Sequence, residues 1–336
     1  MSRLSNAEAR QILDLDGAEL QAEIAGAFER RERRHGRSVN LCWIVNAKSG
    51  SCGQDCAFCS QSSGSTADIP RYELLPVDEI VGAAHEAAAS GAVRFSIVTS
   101  GRAVRAGVDL DRIVEASRRI CDETGLDLCA SLGCVDSDVL RALKHAGVTR
   151  YHHNVETCES FWSSICTTRP YSEQRRVIRD ALDLGLEVCS GGIVGLGESL
   201  DQRVELLDEV RRLDVHSVAL NFFVPIPGAP LAHVRDLDPL SCLRVVVAAR
   251  LMMPRRDIRV CGGREHNLRD LQPLLLLAGA SGLMVGGYLT TPGRPVEEDL
   301  QMIRDLGLIP DTIPGGRATV SIEALTAAGP EARGRD

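Results

Sequence analysis

From Val39 onward the chain repeats one pattern: a short apolar run, a loop, then a stretch whose apolar residues recur at helical spacing. The cycle is completed eight times. The apolar runs fall at 40–46, 93–99, 126–132, 149–155, 186–190, 216–222, 257–261 and 282–286. The helical stretches lie near 77–90, 110–124, 136–146, 172–184, 199–213, 239–253, 267–279 and 296–306. Strands alternating with helices predict a parallel sheet with helices outside it, and eight such units point to closure into an α/β fold of the TIM type, a (β/α)8 barrel. A doubly wound open sheet is the alternative. The glycines of Gly192-Ile193-Val194-Gly195-Leu196-Gly197 run G-x-x-G-x-G, however, so they do not make the G-x-G-x-x-G dinucleotide fingerprint.

Ahead of the repeat, Ala9, Ile12, Leu13, Leu20, Ile24 and Phe28 keep helical spacing among charged neighbours, with a break near Asp16-Gly17. Residues 1–36 therefore read as an N-terminal helical extension, 37–308 as the barrel, and 309–336 as a tail. The tail is rich in Pro, Gly, Ala and Thr and is expected to be disordered. A chain of 336 residues with 44% hydrophobic content can bury one large core. The net charge of -8 argues against a nucleic-acid or anionic-membrane partner. The one basic run, Arg30 to Arg37, reads as a solvated helix end. No apolar stretch approaches a membrane span, and Met1-Ser2-Arg3-Leu4-Ser5 lacks the apolar core of a signal peptide, so a cytoplasmic location is expected. Disulfides are disfavoured there, and metal clusters account for several of the twelve cysteines better.

The chemistry centres on Cys52-Gly53-Gln54-Asp55-Cys56-Ala57-Phe58-Cys59, in a loop after the first strand. Thiolates are the ligands that iron–sulfur clusters use. A structural zinc site would want a fourth Cys or His nearby, yet the nearest histidines are His35 and His85. Three protein ligands leave one iron of a four-iron cube open.

This spacing, Cys-x3-Cys-x2-Cys with Phe58 before the last cysteine, resembles the signature of the radical S-adenosylmethionine enzymes. The run from Cys52 to Ser63 is similar to the biotin synthase family. The resemblance covers roughly residues 35–310 and includes Leu128-Cys129-Ala130-Ser131-Leu132-Gly133, the stretch from Val188 to Glu198, and Ile258-Arg259-Val260-Cys261-Gly262-Gly263-Arg264-Glu265. It implies a 4Fe–4S cluster on Cys52, Cys56 and Cys59 whose open iron holds S-adenosylmethionine. The reduced cluster then generates a deoxyadenosyl radical that takes hydrogen from an unactivated carbon of dethiobiotin. It also implies an auxiliary iron–sulfur cluster deep in the barrel, 2Fe–2S or a variant type, as sulfur donor. No acid–base pair is expected among the catalytic groups, because such C–H bonds have no useful acidity. A reducing protein such as flavodoxin or ferredoxin, and a homodimer, are implied by the same resemblance.

Of the family's auxiliary ligands, Cys129, Cys189 and Arg259 carry over, while Ser96 stands where a cysteine is usual. A hydroxyl is a poor substitute for thiolate on iron. Arg259 and Cys261 are two apart in one strand and so share a face; Cys261 is thereby a candidate for the missing thiolate. By resemblance Asn154 meets the ureido group, Glu156 the ribose hydroxyls, and Asn221 the ureido group again. Phe58, Gly192 and Val194 contribute backbone to the cofactor, the glycines permitting close approach. His152, where relatives carry Asn, is a substrate candidate. Metal binding by the pair His152–His153 is disfavoured, because strand neighbours face opposite ways. The arginine that many relatives place three residues after Tyr171 is Gln174 here, followed by Arg175 and Arg176. Two other readings remain: a different radical enzyme on the same barrel, and a zinc-stabilised binding protein.

Overall fold

The computed structural model describes residues 4–290 and 293–312. Eight parallel strands close a barrel: β1 (Ser38–Lys48), β2 (Arg94–Thr99), β3 (Asp127–Ser131), β4 (Arg150–His152), β5 (Glu187–Val194), β6 (Ser217–Phe222), β7 (Asp257–Val260) and β8 (Gly282–Met284). Each pairs with the next, and β1 seals the ring by pairing with β2 through Cys42↔Arg94 and with β8 through Asn40↔Gly282. The open-sheet alternative is thereby set aside.

The strands read as near-continuous apolar runs because both of their faces are covered. In β2, Phe95 and Ile97 are fully buried on the helix side, whereas Arg94, Ser96 and Val98 line the barrel interior. The same alternation brings Cys42 and Ile44 of β1, Cys129 and Ser131 of β3, and Arg150 and His152 of β4 to that interior. Outside it, each fully buried Leu, Ile or Val contributes about 1.5–3 kcal/mol. One continuous apolar core joins the barrel to its helices.

The N-terminal extension folds as two helices, Asn6–Ile12 and Gly17–His35, broken at Asp16 as expected. Ser5 and Glu8 form a reciprocal capping box on the first. The second packs on the helix Pro239–Met252, which is buried nearly all round, and Arg244 Nε donates to the Leu15 carbonyl at 2.6 Å. The reading of the basic run as solvated fails at Arg31. That side chain is fully buried, and its guanidinium donates to the carbonyls of Ala280 and Gly36 at 2.9 and 2.8 Å and to that of Ser38. It ties the extension to the bottom of the barrel.

Three further departures have local causes. The helix expected at 267–279 is split into Arg264–Leu268, a 3-10 turn Arg269–Leu271 and Leu274–Leu277, because Arg269 takes a positive φ and Pro273 has no amide proton to donate. The fourth strand stops at His152, since the polar residues beyond it turn at Glu156, which has φ 67°. Finally, Ile309–Pro310 form a short strand, β9, paired in parallel with Ser38 and Val39. The expected tail thus begins later than 309; its residues 313–336 lie outside the described residues.

Candidate functional site

The cysteine loop leaves the C-terminal end of β1 and is strapped to the segment 165–168. Ala57 N donates to the Ile165 carbonyl at 2.9 Å. The Asp55 carboxylate accepts from the amides of Thr167 and Thr168 at 3.0 and 3.2 Å and from both their hydroxyls. Burial works against its charge, but these hydrogen bonds hold its carboxyl well below the usual range. Inside the loop, Gln61 N donates to Cys59 Sγ at 3.4 Å and Gln61 Oε1 accepts from Gly50 N at 2.8 Å.

Cys56 is buried and Cys52 and Cys59 are partly exposed. The Cys56 thiol is pushed up first by its hydrogen bond to Cys166 and then by burial, and burial pushes Cys59 up to about 11. Raised thiol pKa values mean that binding of a metal centre displaces protons. Three soft sulfur donors on one short loop, one of them already accepting an amide hydrogen bond, fit an iron–sulfur cluster. Among the described residues no three His, Cys, Asp or Glu side chains converge on a single ion.

Two cavities lie along the barrel. The upper one, about 370 Å³, opens beside Phe58 and Cys59 and is lined further by Asn154, Glu156, Asn221 and Tyr288. The lower one, about 150 Å³, is lined by Cys42, Ser96, Cys129, Cys189, Arg259 and Cys261, with Arg94, Arg150 and His152. Asn154, Glu156, Cys261 and Tyr288 line both.

In the upper cavity, Asn154 Nδ2 donates to Glu156 Oε2 at 3.3 Å, while its buried Oδ1 has no partner. An unpaired buried acceptor is costly and calls for a donor from a ligand. Glu156 is held in the left-handed region at φ 67°, and its main-chain carbonyl accepts from Ile193 N at 2.7 Å. Burial raises its carboxyl pKa, against the charges of Arg169 and His152. Asn221 lines the cavity but is bound to the chain at both ends of its amide, donating to Gly192 O at 3.2 Å and accepting from Gly262 N at 3.0 Å.

The lower cavity is rich in both sulfur and positive charge. Cys189 and Cys261 pack together with Ala219, and Ser96 hydrogen-bonds Cys129. Cys261 sits just past the end of β7, yet faces the same cavity as Arg259, as their spacing predicts. The outer ends of the arginines are paired: Arg94 with Asp127 at 2.8 Å, Arg150 with Glu187 at 2.6 Å and Arg259 with Asn40 at 2.6 Å. Their inner N–H groups, Arg94 Nε and Nη1, Arg150 Nη1 and Arg259 Nη1, are buried without partners. Several unpaired cationic donors around a sulfur-lined space fit an anionic cluster. Burial alone would raise the Cys189 thiol, but hydrogen-bonded His152 and the nearby arginines bring it down. Burial pushes Cys129 up to about 12 and Cys261 well above the usual thiol range.

Several expectations are redistributed. Gly192 and Val194 line neither cavity; Ile193 between them does. These glycines also let the chain's own backbone approach: a β-carbon on Gly191 would meet Ala219 O at 1.8 Å, and one on Gly192 would meet Glu156 O at 2.4 Å. His152 faces the lower cavity, while His153 turns outward to Gln174 at 3.2 Å. Gln174 is buried and donates to Asn154 O at 2.8 Å. Arg175 pairs outward with Glu159 and Glu209, and Arg176 with Asp180.

A further basic side chain whose charge reaches Cys56, Cys166 and Glu156 is Arg169; its guanidinium lies 5.5 Å from the Trp162 ring centroid and its buried Nε is unpartnered. No local pattern marks it in the sequence, since it lies 110 residues beyond Cys59 and just ahead of the helix Tyr171–Asp183. Tyr288 was missed for want of any pattern around it. Cys42 was legible from alternation, two residues from Asn40 and two from Ile44.

Comparison with known proteins follows the same division of the chain. A Radical SAM superfamily profile matches residues 48–210, and a Biotin and Thiamin Synthesis associated domain matches 219–309. The chain is 48% identical over 307 residues to the biotin synthase of Geobacter sulfurreducens, covering 91% of this chain and 93% of that one. It is 47% identical to that of Pelotomaculum thermopropionicum, covering 90% and 94%. Among solved structures, methylornithine synthase superposes with a TM-score of 0.80 at 22% identity, covering 93% of this chain and 95% of that one. A maturase of the [FeFe]-hydrogenase does so at 0.79 and 15%, covering 92% and 73%. These two likenesses speak to the barrel alone. At 48% identity over nine-tenths of its length, with both domains matched in order, the chain belongs to the biotin synthase family of radical S-adenosylmethionine enzymes.

Proposed function

We propose that this protein converts dethiobiotin to biotin by radical insertion of sulfur, with S-adenosylmethionine as co-substrate. The observation that carries the reading is the stacking of two cavities that share Asn154, Glu156, Cys261 and Tyr288, one opening at the cysteine loop and the other lined by thiols and arginines. Bound on Cys52, Cys56 and Cys59, a 4Fe–4S cluster would supply the electron that cleaves the sulfonium of S-adenosylmethionine, and an auxiliary iron–sulfur cluster in the lower cavity would supply the sulfur.

The residues of the chain bind, orient and shield. Asn154 offers its unpaired Oδ1 to a ureido N–H, and Glu156, beside it, faces the ribose hydroxyls. Phe58 lines the mouth of the upper cavity. Asn221 serves chiefly to fix the backbone of Gly192 and Gly262, with its remaining donor and acceptor capacity turned to the substrate. Cys129, Cys189 and Cys261 are the auxiliary thiolates, with Arg259 on the same side and Cys42 as a fourth thiol within the cavity. Ser96 supports Cys129 by hydrogen bond in place of binding iron. Enclosure within the barrel keeps water from the reacting carbon.

The reductant is a small electron-transfer protein of the flavodoxin or ferredoxin kind, and the enzyme works in the cytoplasm as a homodimer. No helix among the described residues is long and apolar enough to cross a membrane. Anaerobic incubation of the reconstituted protein with dethiobiotin, S-adenosylmethionine and a strong reductant tests the reading. Biotin is the expected product; methionine and 5′-deoxyadenosine without biotin would point instead to another substrate on the same barrel.

A further inference from the structure

The Sγ atoms of Cys56 and Cys166 lie 3.9 Å apart, although 110 residues separate them in the chain. Cys166 is buried and has no place in the cysteine triad. Its position is fixed from both sides. Ala57 N holds the Ile165 carbonyl, and Asp55 holds the amides and hydroxyls of Thr167 and Thr168. The Thr168 hydroxyl stands 3.5 Å from Cys166 Sγ.

The two sulfurs share a hydrogen bond whose donor is Cys56 while it keeps its proton. A cysteine bound to iron is a thiolate and has no proton to give. The contact can then persist only in the opposite sense. Asp55 is the rival acceptor for the Cys166 proton, but its carboxylate already takes the amides and hydroxyls of Thr167 and Thr168 on its roughly four lone-pair sites. A charged acceptor also draws a donor more strongly than the neutral Thr168 oxygen does.

We infer that Cys166 is a positioning residue for the known reaction: its S–H donates to the Cys56 thiolate and raises the reduction potential of the cluster on the triad. The inference rests on the assignment of that cluster to Cys52, Cys56 and Cys59 made above. A hydrogen bond to a ligand sulfur stabilises the reduced, more negative cluster more than the oxidised one. The bond therefore eases the electron transfer that precedes cleavage of the co-substrate.

The test is a redox titration of the holoenzyme followed by electron paramagnetic resonance, reading the cluster whose signal changes when S-adenosylmethionine is added. Cys166→Ala should be about tenfold harder to reduce, which is about 59 mV lower for one electron. Cys166→Ser, which keeps an O–H donor, should stay close to the parent protein. Pulsed measurements in H2O and D2O should show an exchangeable proton coupled to this cluster in the parent and Ser proteins and not in the Ala protein. An unshifted potential in Cys166→Ala, or Ser and Ala variants shifted alike, overturns the inference and leaves the cluster assignment standing. If Cys166→Ala holds no cluster, the parent protein decides, and absence of the exchangeable coupling there is equally contrary. A parent protein whose signals ignore S-adenosylmethionine removes both this inference and the assignment beneath it.

Discussion

The main-chain carbonyl oxygen of Glu156 lies 2.4 Å from the point where a β-carbon on Gly192 would stand. That approach is what lets Glu156 turn at φ 67° and accept from Ile193 N at its carbonyl while Asn154, two residues earlier, projects into both cavities. The glycine thereby shapes the site.

Gly192→Ala should therefore cost about 1–3 kcal/mol of stability and also move Glu156 and Asn154 out of register. A lowered melting temperature together with weaker dethiobiotin binding is expected. A variant that melts earlier but binds dethiobiotin as the parent does would show that Glu156 keeps its place without the glycine.

Asn154→Ala removes the one buried acceptor that the described residues leave open in the upper cavity. Losing a ligand hydrogen bond of this kind costs about 1–3 kcal/mol, so dethiobiotin should bind about ten- to a hundredfold more weakly. Calorimetric titration of the anaerobic protein reads this directly, and unchanged affinity would place the ureido group elsewhere.

The thiols of the lower cavity make opposite predictions for two neighbouring positions. Cys261→Ala should lower iron and sulfide by the auxiliary complement alone, with the triad cluster retained. Ser96→Ala should leave both contents unchanged, because its hydroxyl serves Cys129. Iron and sulfide counts per chain distinguish the two; an intact auxiliary complement in Cys261→Ala would return that thiol to ordinary core packing.

His35 gives the fold an acid-sensitive joint away from the site. Burial first, then the charge of Arg250 with a smaller part from Arg31, lowers its pKa from 6.5 to about 4, against the pull of Asp257 and the Arg256 backbone. The unfolded chain binds this proton more readily than the folded one. The contribution is thus present above pH 6.5 and lost as pH falls toward about 4. Thermal melts from pH 7.5 to 4.5 should show His35→Gln declining less steeply than the parent; parallel curves would show that the imidazole adds nothing.

How much of this was written in the sequence depends on how far apart the interacting residues lie. The eightfold alternation is a local signal and yields the barrel directly, and two-residue spacing places Arg259 and Cys261 toward one cavity. Spacing alone also separates His152 from His153. The helix at 267–279 was misjudged because apolar Leu268 and Leu274 to Leu277 keep up the appearance of a period across Arg269 and Pro273. Arg31 defied its charged surroundings because three carbonyls at the barrel floor require a donor, and those belong to residues 36, 38 and 280. Cys166 beside Cys56 joins two distant loops, and Glu156 beside Gly192 joins a loop to β5. No periodicity encodes them.

Transfer of hydrogen from substrate to co-substrate tests the account most directly. Dethiobiotin deuterated at the carbons that gain sulfur should be incubated anaerobically with the reduced, reconstituted protein and S-adenosylmethionine, and the 5′-deoxyadenosine analysed by mass. Deuterium in the 5′-deoxyadenosine, accompanied by biotin, is the predicted result; 5′-deoxyadenosine free of deuterium, or none formed at all, would contradict it.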